Sequence, residues 1–212
     1  MLFRSISFAI TACNEHVELE RLLDQLVSII KPDDEIMVQL DSTATNEVKQ
    51  VAEKYNVGSP FEYHRIYSSL NGDFATFKNN LKDHCTRDWV FFIDADEYLS
   101  EGLAENIHSI LEMNKGIVDL IAVPRINTVE GLTEAHIQKW GWRVNEYGYV
   151  NWPDYQWRLY KNAKYIKWEN RVHERLVGFN SLANLPAKPE YALNHPKTIE
   201  RQERQNALYN TI

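Results

Sequence analysis

Over the first 125 residues the hydrophobic positions switch repeatedly between strand-like alternation and helical spacing. Residues 3–10 read as a strand that ends in Thr11-Ala12-Cys13-Asn14. From Glu15 the apolar positions are Leu19, Leu22, Leu23, Leu26, Ile29 and Ile30, one face of a helix with Asn14 as N-cap and Pro32 just past its end. Residues 35–40 form a second strand that halts at Asp41-Ser42-Thr43, and Val48, Val51, Ala52 and Tyr55 give a second helical face closed by Gly58 and Pro60. A third strand at residues 61–67 leads through Asn71-Gly72 into a helix carrying Phe74, Phe77, Leu81 and Cys85. The five consecutive apolar residues 89–93 suit a central strand buried on both faces. It stops at Asp94-Ala95-Asp96-Glu97, after which Ser100 opens a helix with Leu103, Ile107, Ile110 and Leu111 on one side, followed by a strand at 118–123.

This alternation predicts βαβ units, and so an α/β fold with a mostly parallel, Rossmann-like sheet and helices on both faces. In such sheets ligands bind beyond the carboxyl ends of the strands. The polar clusters at residues 11–15, 41–43 and 94–97 should therefore share one edge. Beyond Asn127 the periodicity fades. Five of the six tryptophans fall between positions 140 and 168, with short strand-like runs at 157–160 and 164–168, and residues 198–212 read as a charged, exposed helix. With no linker or repeat, residues 1–125 and 126–212 are expected to be two parts of one domain, the second a short aromatic-rich region.

Composition narrows the possibilities. The 212 residues are 44% hydrophobic and 25% charged, which excludes disorder, collagen-like repeats and a disulfide scaffold. Lys and Arg total 23 against 30 Asp and Glu, a formal net charge of −7. That balance disfavours nucleic acid, which needs a basic face, and means that a phosphate-bearing ligand requires a divalent cation. Cys13 and Cys85 read as small buried hydrophobes of a reducing compartment. The N-terminal apolar run lacks a basic region before it, and no window approaches about 18 uninterrupted apolar residues. A soluble, cytoplasmic chain without an integral membrane segment is expected.

Asp94-Ala95-Asp96 is the sharpest chemical signal. Two carboxylates at i and i+2 after a buried strand can reach a hard cation and the sugar of a nucleotide, and oxygen ligands of this kind select Mg²⁺ or Mn²⁺. A solvated turn ahead of the Ser100 helix is the competing explanation. Asp41 suits a base or ribose, or simply a turn. The Thr11, Ala12, Asn14 and Glu15 loop can present backbone N–H groups to a ligand, and Lys78 can approach a phosphate. Late in the chain, Arg171-Val172-His173-Glu174-Arg175 offers a general base and a cation for a leaving phosphate, or else a surface strand of alternating charge. His195 suits a metal ligand or a turn before Pro196. Trp140, Trp142, Trp152 and Trp157 suit either an acceptor cleft, where ring faces pack on sugar C–H faces, or a core poor in aliphatics.

The clusters Ile10-Thr11-Ala12-Cys13-Asn14-Glu15, Leu40-Asp41-Ser42-Thr43-Ala44-Thr45, Lys78-Asn79 and Phe92-Ile93-Asp94-Ala95-Asp96-Glu97, in this order, resemble glycosyltransferase family 2, whose members have the GT-A fold. The likeness covers roughly residues 5–125. Val172-His173-Glu174 and His195 further resemble the branch of lipopolysaccharide-core glucosyltransferases. Thr43, Ala44 and Asn46 depart from the family's Asp-Ser-Gly-Ser-Thr-Asp turn. The resemblance implies metal-dependent, inverting transfer of a sugar from a UDP- or GDP-type donor to the hydroxyl of a glycan, lipopolysaccharide-like or protein-linked acceptor, with Mn²⁺ or Mg²⁺ as cofactor. It implies that the first loop and Asp41 hold the base. Asp94 and Asp96 meet ribose and metal, His195 adds a further metal ligand, and Glu174 with His173 serves as general base, Asp154 being the competing candidate. A sugar nucleotidyltransferase is the first alternative, although the loop after the first strand lacks the Gly-rich, basic character that reaction needs. A non-catalytic glycan- or nucleotide-binding protein is the second, against which the intact Asp94, Asp96 and Glu174 speak.

Overall fold

The period-two runs become parallel strands, and the helically spaced runs become the helices that cover them. The computed structural model describes residues 5–56 and 60–209. Its strands are β1 (Ile6–Ala12), β2 (Glu35–Asp41), β3 (Glu62–Ser68), β4 (Trp89–Asp94), β5 (Tyr98–Leu99), β6 (Leu120–Glu130), β7 (Val150–Lys161), β8 (Lys167–Glu169), β9 (Arg175–Val177), β10 (Leu182–Asn184) and β11 (Leu193–Thr198). The helices are α1 (His16–Ile29), α2 (Asn46–Asn56), α3 (Phe74–His84), α4 (Glu101–Met113), α5 (Glu134–Trp140) and α6 (Ile199–Tyr209). The main sheet runs β3-β2-β1-β4-β7-β6-β11-β5, and β10 also pairs with β6. β3, β2, β1 and β4 are parallel, β7 is antiparallel to both neighbours, and β11 is parallel to β6. β8 and β9 form a separate antiparallel pair.

The uninterrupted apolar run of β4 follows from helices on both faces. Phe91 and Ile93 join Phe8, Ile10, the α1 leucines and Leu103 and Ile107 of α4 in one core, while Val90 and Phe92 join Ala9, Met37 and Ala75 and Leu81 of α3 in the other. Polar side chains fix where helices start: Ser100 Oγ accepts from Leu103 N–H at 3.4 Å, and Asp73 Oδ1 accepts from Thr76 N–H at 3.0 Å. No described helix is long and apolar enough to cross a membrane.

Several expectations are corrected. Glu15, not Asn14, occupies the N-cap position of α1, and it makes no side-chain cap bond. Its Oε2 instead accepts the backbone N–H groups of Cys13 and Asn14 at 2.8 and 2.9 Å. The short run expected at 157–160 is part of the 12-residue β7, seated between β4 and β6. Its buried positions include a charged residue, Arg158, so hydrophobicity alone conceals it. Thr198 ends β11 and is not part of α6, and β11 itself, Leu-Asn-His-Pro-Lys-Thr, carries no apolar alternation to announce it. Residues 3 and 4 of the expected first strand, and Gly58, expected to close the second helix, lie outside the described residues.

Candidate active site

Parallel pairing places Thr11 opposite Asp94 and Ala12 opposite Leu40, so the loops after β1, β2 and β4 open on one edge of the sheet. The first two loops are tied together by Thr45 N–H to the Cys13 carbonyl at 2.9 Å, and the first and third by Ala95 N–H to the Thr11 carbonyl at 3.2 Å. Ala12 and Ala95 pack in the core, so only their backbone faces the edge, whereas Asn14 is exposed. Asp41 Oδ1 accepts Thr43 N–H at 2.8 Å and also the Thr43 hydroxyl, and Oδ2 accepts Leu70 N–H at 2.7 Å. Burial pushes the Asp41 carboxyl up, but these hydrogen bonds outweigh it and hold the group below its ordinary value.

The Asp94 carboxylate is paired with Arg158, which also donates to Glu97 Oε1 at 2.9 Å. Arg125 continues the chain, donating to Glu97 at 3.0 Å and through Nη2 to Asp154 at 2.7 Å. Burial raises the Asp94 carboxyl, yet the charges of Arg158 and Lys78 bring it down to about 2. Lys78 is itself buried, with its Nζ 4.7 Å from the ring centre of Phe92 and 4.6 Å from that of Trp168, and it is ion-paired with Glu174. One cation thus stands between the Asp94 edge and the late Glu174. His173 is exposed and its backbone lies at φ +55°.

The other carboxylate of the motif faces β11 and α6. Asp96 Oδ2 lies 3.1 Å from His195 Nε2 and 3.2 Å from Arg201 Nη2. Burial raises the Asp96 carboxyl, but His195, Lys197 and Arg201 hold it well below the ordinary carboxylate range. The hydrogen bonds fix the His195 tautomer. Asn127 Nδ2 donates to the acceptor-only Asp154 Oδ2 at 2.8 Å, which leaves Asn127 Oδ1 facing His195 Nδ1 at 2.8 Å. Nδ1 must therefore carry the proton. Burial lowers the pKa of His195, more than its hydrogen bond to Asp96 raises it, and Nε2 faces an Asp96 oxygen. A carboxylate 3.1 Å from an imidazole that is held by its other nitrogen is a fitting donor set for Mn²⁺ or Mg²⁺. A different acidic group, Glu35, Glu62 and His64, gathers at the amino ends of β2 and β3. Protein donors already take up its buried member, Glu35, through Ser7, Thr86 and Arg87.

Of the aromatic candidates only Trp140 and Trp142 are seen in ring contact with each other among the described residues. Trp140 and Trp142 pair at 4.6 Å between ring centres, and Trp140 lines a cavity of about 210 Å³ with Glu203, Asn206 and Ala207 of α6. Trp152 sits 5.8 Å from Tyr149, Trp157 lies edge-on to Phe179 at 5.4 Å against the α3-side core, and Trp168 is buried within that core. Sequence reasoning missed Arg125, Asn127, Arg158 and Arg201. Arg125 and Asn127 did carry a signal, polar residues arriving in an apolar strand as Asp94 does. Arg201 carried none.

The model of the family described as glycosyl transferase family 2 matches residues 7–181. No curated protein matches the sequence. Among solved structures, S. aureus TarS 1–349 superposes with a TM-score of 0.60 at 13% identity, over 91% of this chain and 60% of that one. The same fragment in complex with UDP-GlcNAc gives 0.61 at 15% identity, over 91% and 58%. The longer S. aureus TarS structure gives 0.59 at 14% identity, over 95% and 38%. The chain therefore spans about 60% of the length of the TarS fragment. At such identities the likeness is one of fold, the GT-A arrangement of a mostly parallel sheet between helices. A sheet edge that gathers Asp41, Asp94 and Asp96, together with a family match running from β1 past β9, establishes that this chain belongs to glycosyl transferase family 2.

Proposed function

We propose that the chain is a divalent-metal-dependent glycosyltransferase that moves a sugar, with inversion, from a UDP- or GDP-type donor to a carbohydrate hydroxyl. The observation that carries this reading is His195 Nε2 facing Asp96 at the carboxyl edge of β4, with Nδ1 held by Asn127. Asp96 and His195 would hold the cation, which when bound neutralises diphosphate charge on the leaving group. Asp94, kept ionised by Arg158, accepts from ribose hydroxyls in this reading, and the loops after β1 and β2 receive the base, which their common sheet edge supports. TarS, of similar fold, was solved in complex with UDP and with UDP-GlcNAc, which supports a nucleoside-diphosphate sugar as the donor. Glu174 takes the proton of the acceptor hydroxyl, while Lys78 beside it supplies positive charge between base and donor. Asp154 is the weaker candidate, because Arg125, Asn127 and Gln156 already occupy its oxygens. Residues 126–212 furnish the acceptor side, with Trp140, Trp142 and Trp152 as its aromatic faces. The Val172-His173-Glu174 and His195 pattern supports a place in the lipopolysaccharide-core glucosyltransferase-like branch.

Thermal-shift titration with UDP and GDP, with and without Mn²⁺, tests the donor site. A ligand at 100 times its Kd should add about 2.7 kcal/mol of stability. Asp96→Asn should bind nucleotide equally with and without metal; metal-dependent affinity unchanged in that variant would sink the assignment. Glu174→Gln should lower kcat by about 10²–10⁴-fold with donor affinity intact. Normal turnover by Glu174→Gln alongside an inactive Asp154→Asn would move the base to Asp154.

A further inference from the structure

We infer that Arg201 is the built-in counter-cation of Asp96, displaced from it when a divalent ion loads and retained meanwhile by two glutamates of the α1 entrance. This rests on the reading of Asp96 as a metal-binding carboxylate. The guanidinium faces three carboxylates at once. Its Nη1 donates to Glu18 Oε1 at 2.9 Å, whereas Nη2 is divided between Glu15 Oε1 at 3.3 Å and Asp96 Oδ2 at 3.2 Å. The shortest contact is thus to Glu18, and the Asp96 contact is a shared, longer one. Glu15 cannot follow the guanidinium away, because its other oxygen is fixed by the backbone N–H groups of Cys13 and Asn14.

A guanidinium stays charged at any working pH, so it always competes for Asp96. A divalent ion arriving there repels it at close range. Glu18 and Glu15 offer that positive charge a place to remain, so metal loading costs one shared hydrogen bond rather than the whole ion-pair network. Arg201 sits on α6, past residue 181, where the family match ends. This residue would tune the metal affinity of the site from outside the matched region.

The test is a Mn²⁺ titration of the full chain without donor sugar, free Mn²⁺ being read by electron paramagnetic resonance. Arg201→Gln should bind Mn²⁺ about fivefold more tightly, about 1 kcal/mol at 1.4 kcal/mol per tenfold. Glu18→Gln should act in the opposite sense, leaving the guanidinium on Asp96 and weakening Mn²⁺ binding. In an Arg201→Gln background the Glu18→Gln change should have little further effect. Opposite signs at two contacting residues are not what general damage to the fold produces, and Glu18→Gln still reports should Arg201→Gln fail to fold. Equal or weaker Mn²⁺ binding by folded Arg201→Gln overturns the inference, as does unchanged binding by Glu18→Gln. Asp96→Asn separates the two levels. If it abolishes Mn²⁺ binding while Arg201→Gln matches the wild type, only the displacement is wrong; if it titrates like the wild type, the metal-site reading fails first.

Discussion

A single amide decides how His195 presents itself. Asn127 has one orientation because Asp154 can only accept, and that orientation makes His195 Nδ1 the donor to Asn127 while Nε2 faces Asp96. Asn127 therefore acts on the site through His195. Replacing it with Leu keeps much of its volume but removes the acceptor that sets the tautomer. Asn127→Leu should weaken Mn²⁺ binding by about 10–100-fold, the usual cost of losing a partner of a ligating histidine. Calorimetric titration checks this. A melting temperature close to wild type would show that the loss is one of orientation and not of folding.

At the scale of elements, β7 is the piece that joins the donor edge to the rest of the sheet. Its Arg158 is 3% exposed and ties the buried Glu97 to Asp94, whose side chain reaches the surface. Removing Arg158 takes the ion pair from Asp94 and leaves the fully buried Glu97 with Arg125 alone. Arg158→Leu should cost about 3–5 kcal/mol, measured by urea unfolding. The pH dependence has a definite sign. The Asp94 carboxyl is held at about 2, below its ordinary value near 3.9, so its contribution is present above about pH 4 and is lost as pH falls towards 2. Unfolding free energy should therefore decline through that window in the wild type. Asp94→Asn should flatten the decline; an unchanged slope would show that other carboxylates carry it.

Across the whole molecule, stability should be graded from the centre outward. β1 and β4 are buried on both faces by α1, α2 and α4 on one side and α3 on the other, whereas α5 has no buried residue. Native-state hydrogen exchange should find the slowest amides in β1 and β4 and fast exchange in α5. Comparable protection in α5 and β4 would contradict this grading. The arrangement suits the proposed activity: Asp94 ends the doubly covered strand β4, Asp96 lies in the turn that follows it, and β11 and α6 approach from the other side.

The first half was legible because burial there is apolar and local. Leu19, Leu22, Leu23 and Leu26 declare a helix, and the run at 89–93 declares a strand covered on both faces. The parallel alternation then puts Asp41, Asp94 and Asp96 on one edge without reference to any tertiary contact. Beyond residue 125 the positions that meet the site are held by charge pairing and hydrogen bonds: Arg158 by Asp94 and Glu97, His195 by Asn127 and Asp96, Arg201 by Glu15 and Glu18. A hydrophobic pattern cannot register such positions, since each partner lies far away in sequence and each residue taken alone looks like surface. The sequence by itself thus determined the α/β layout, the edge and its acidic motif. Only the tertiary structure decided which cations meet those carboxylates, because ion pairs and tautomers are properties of distance between side chains, not of order along the chain.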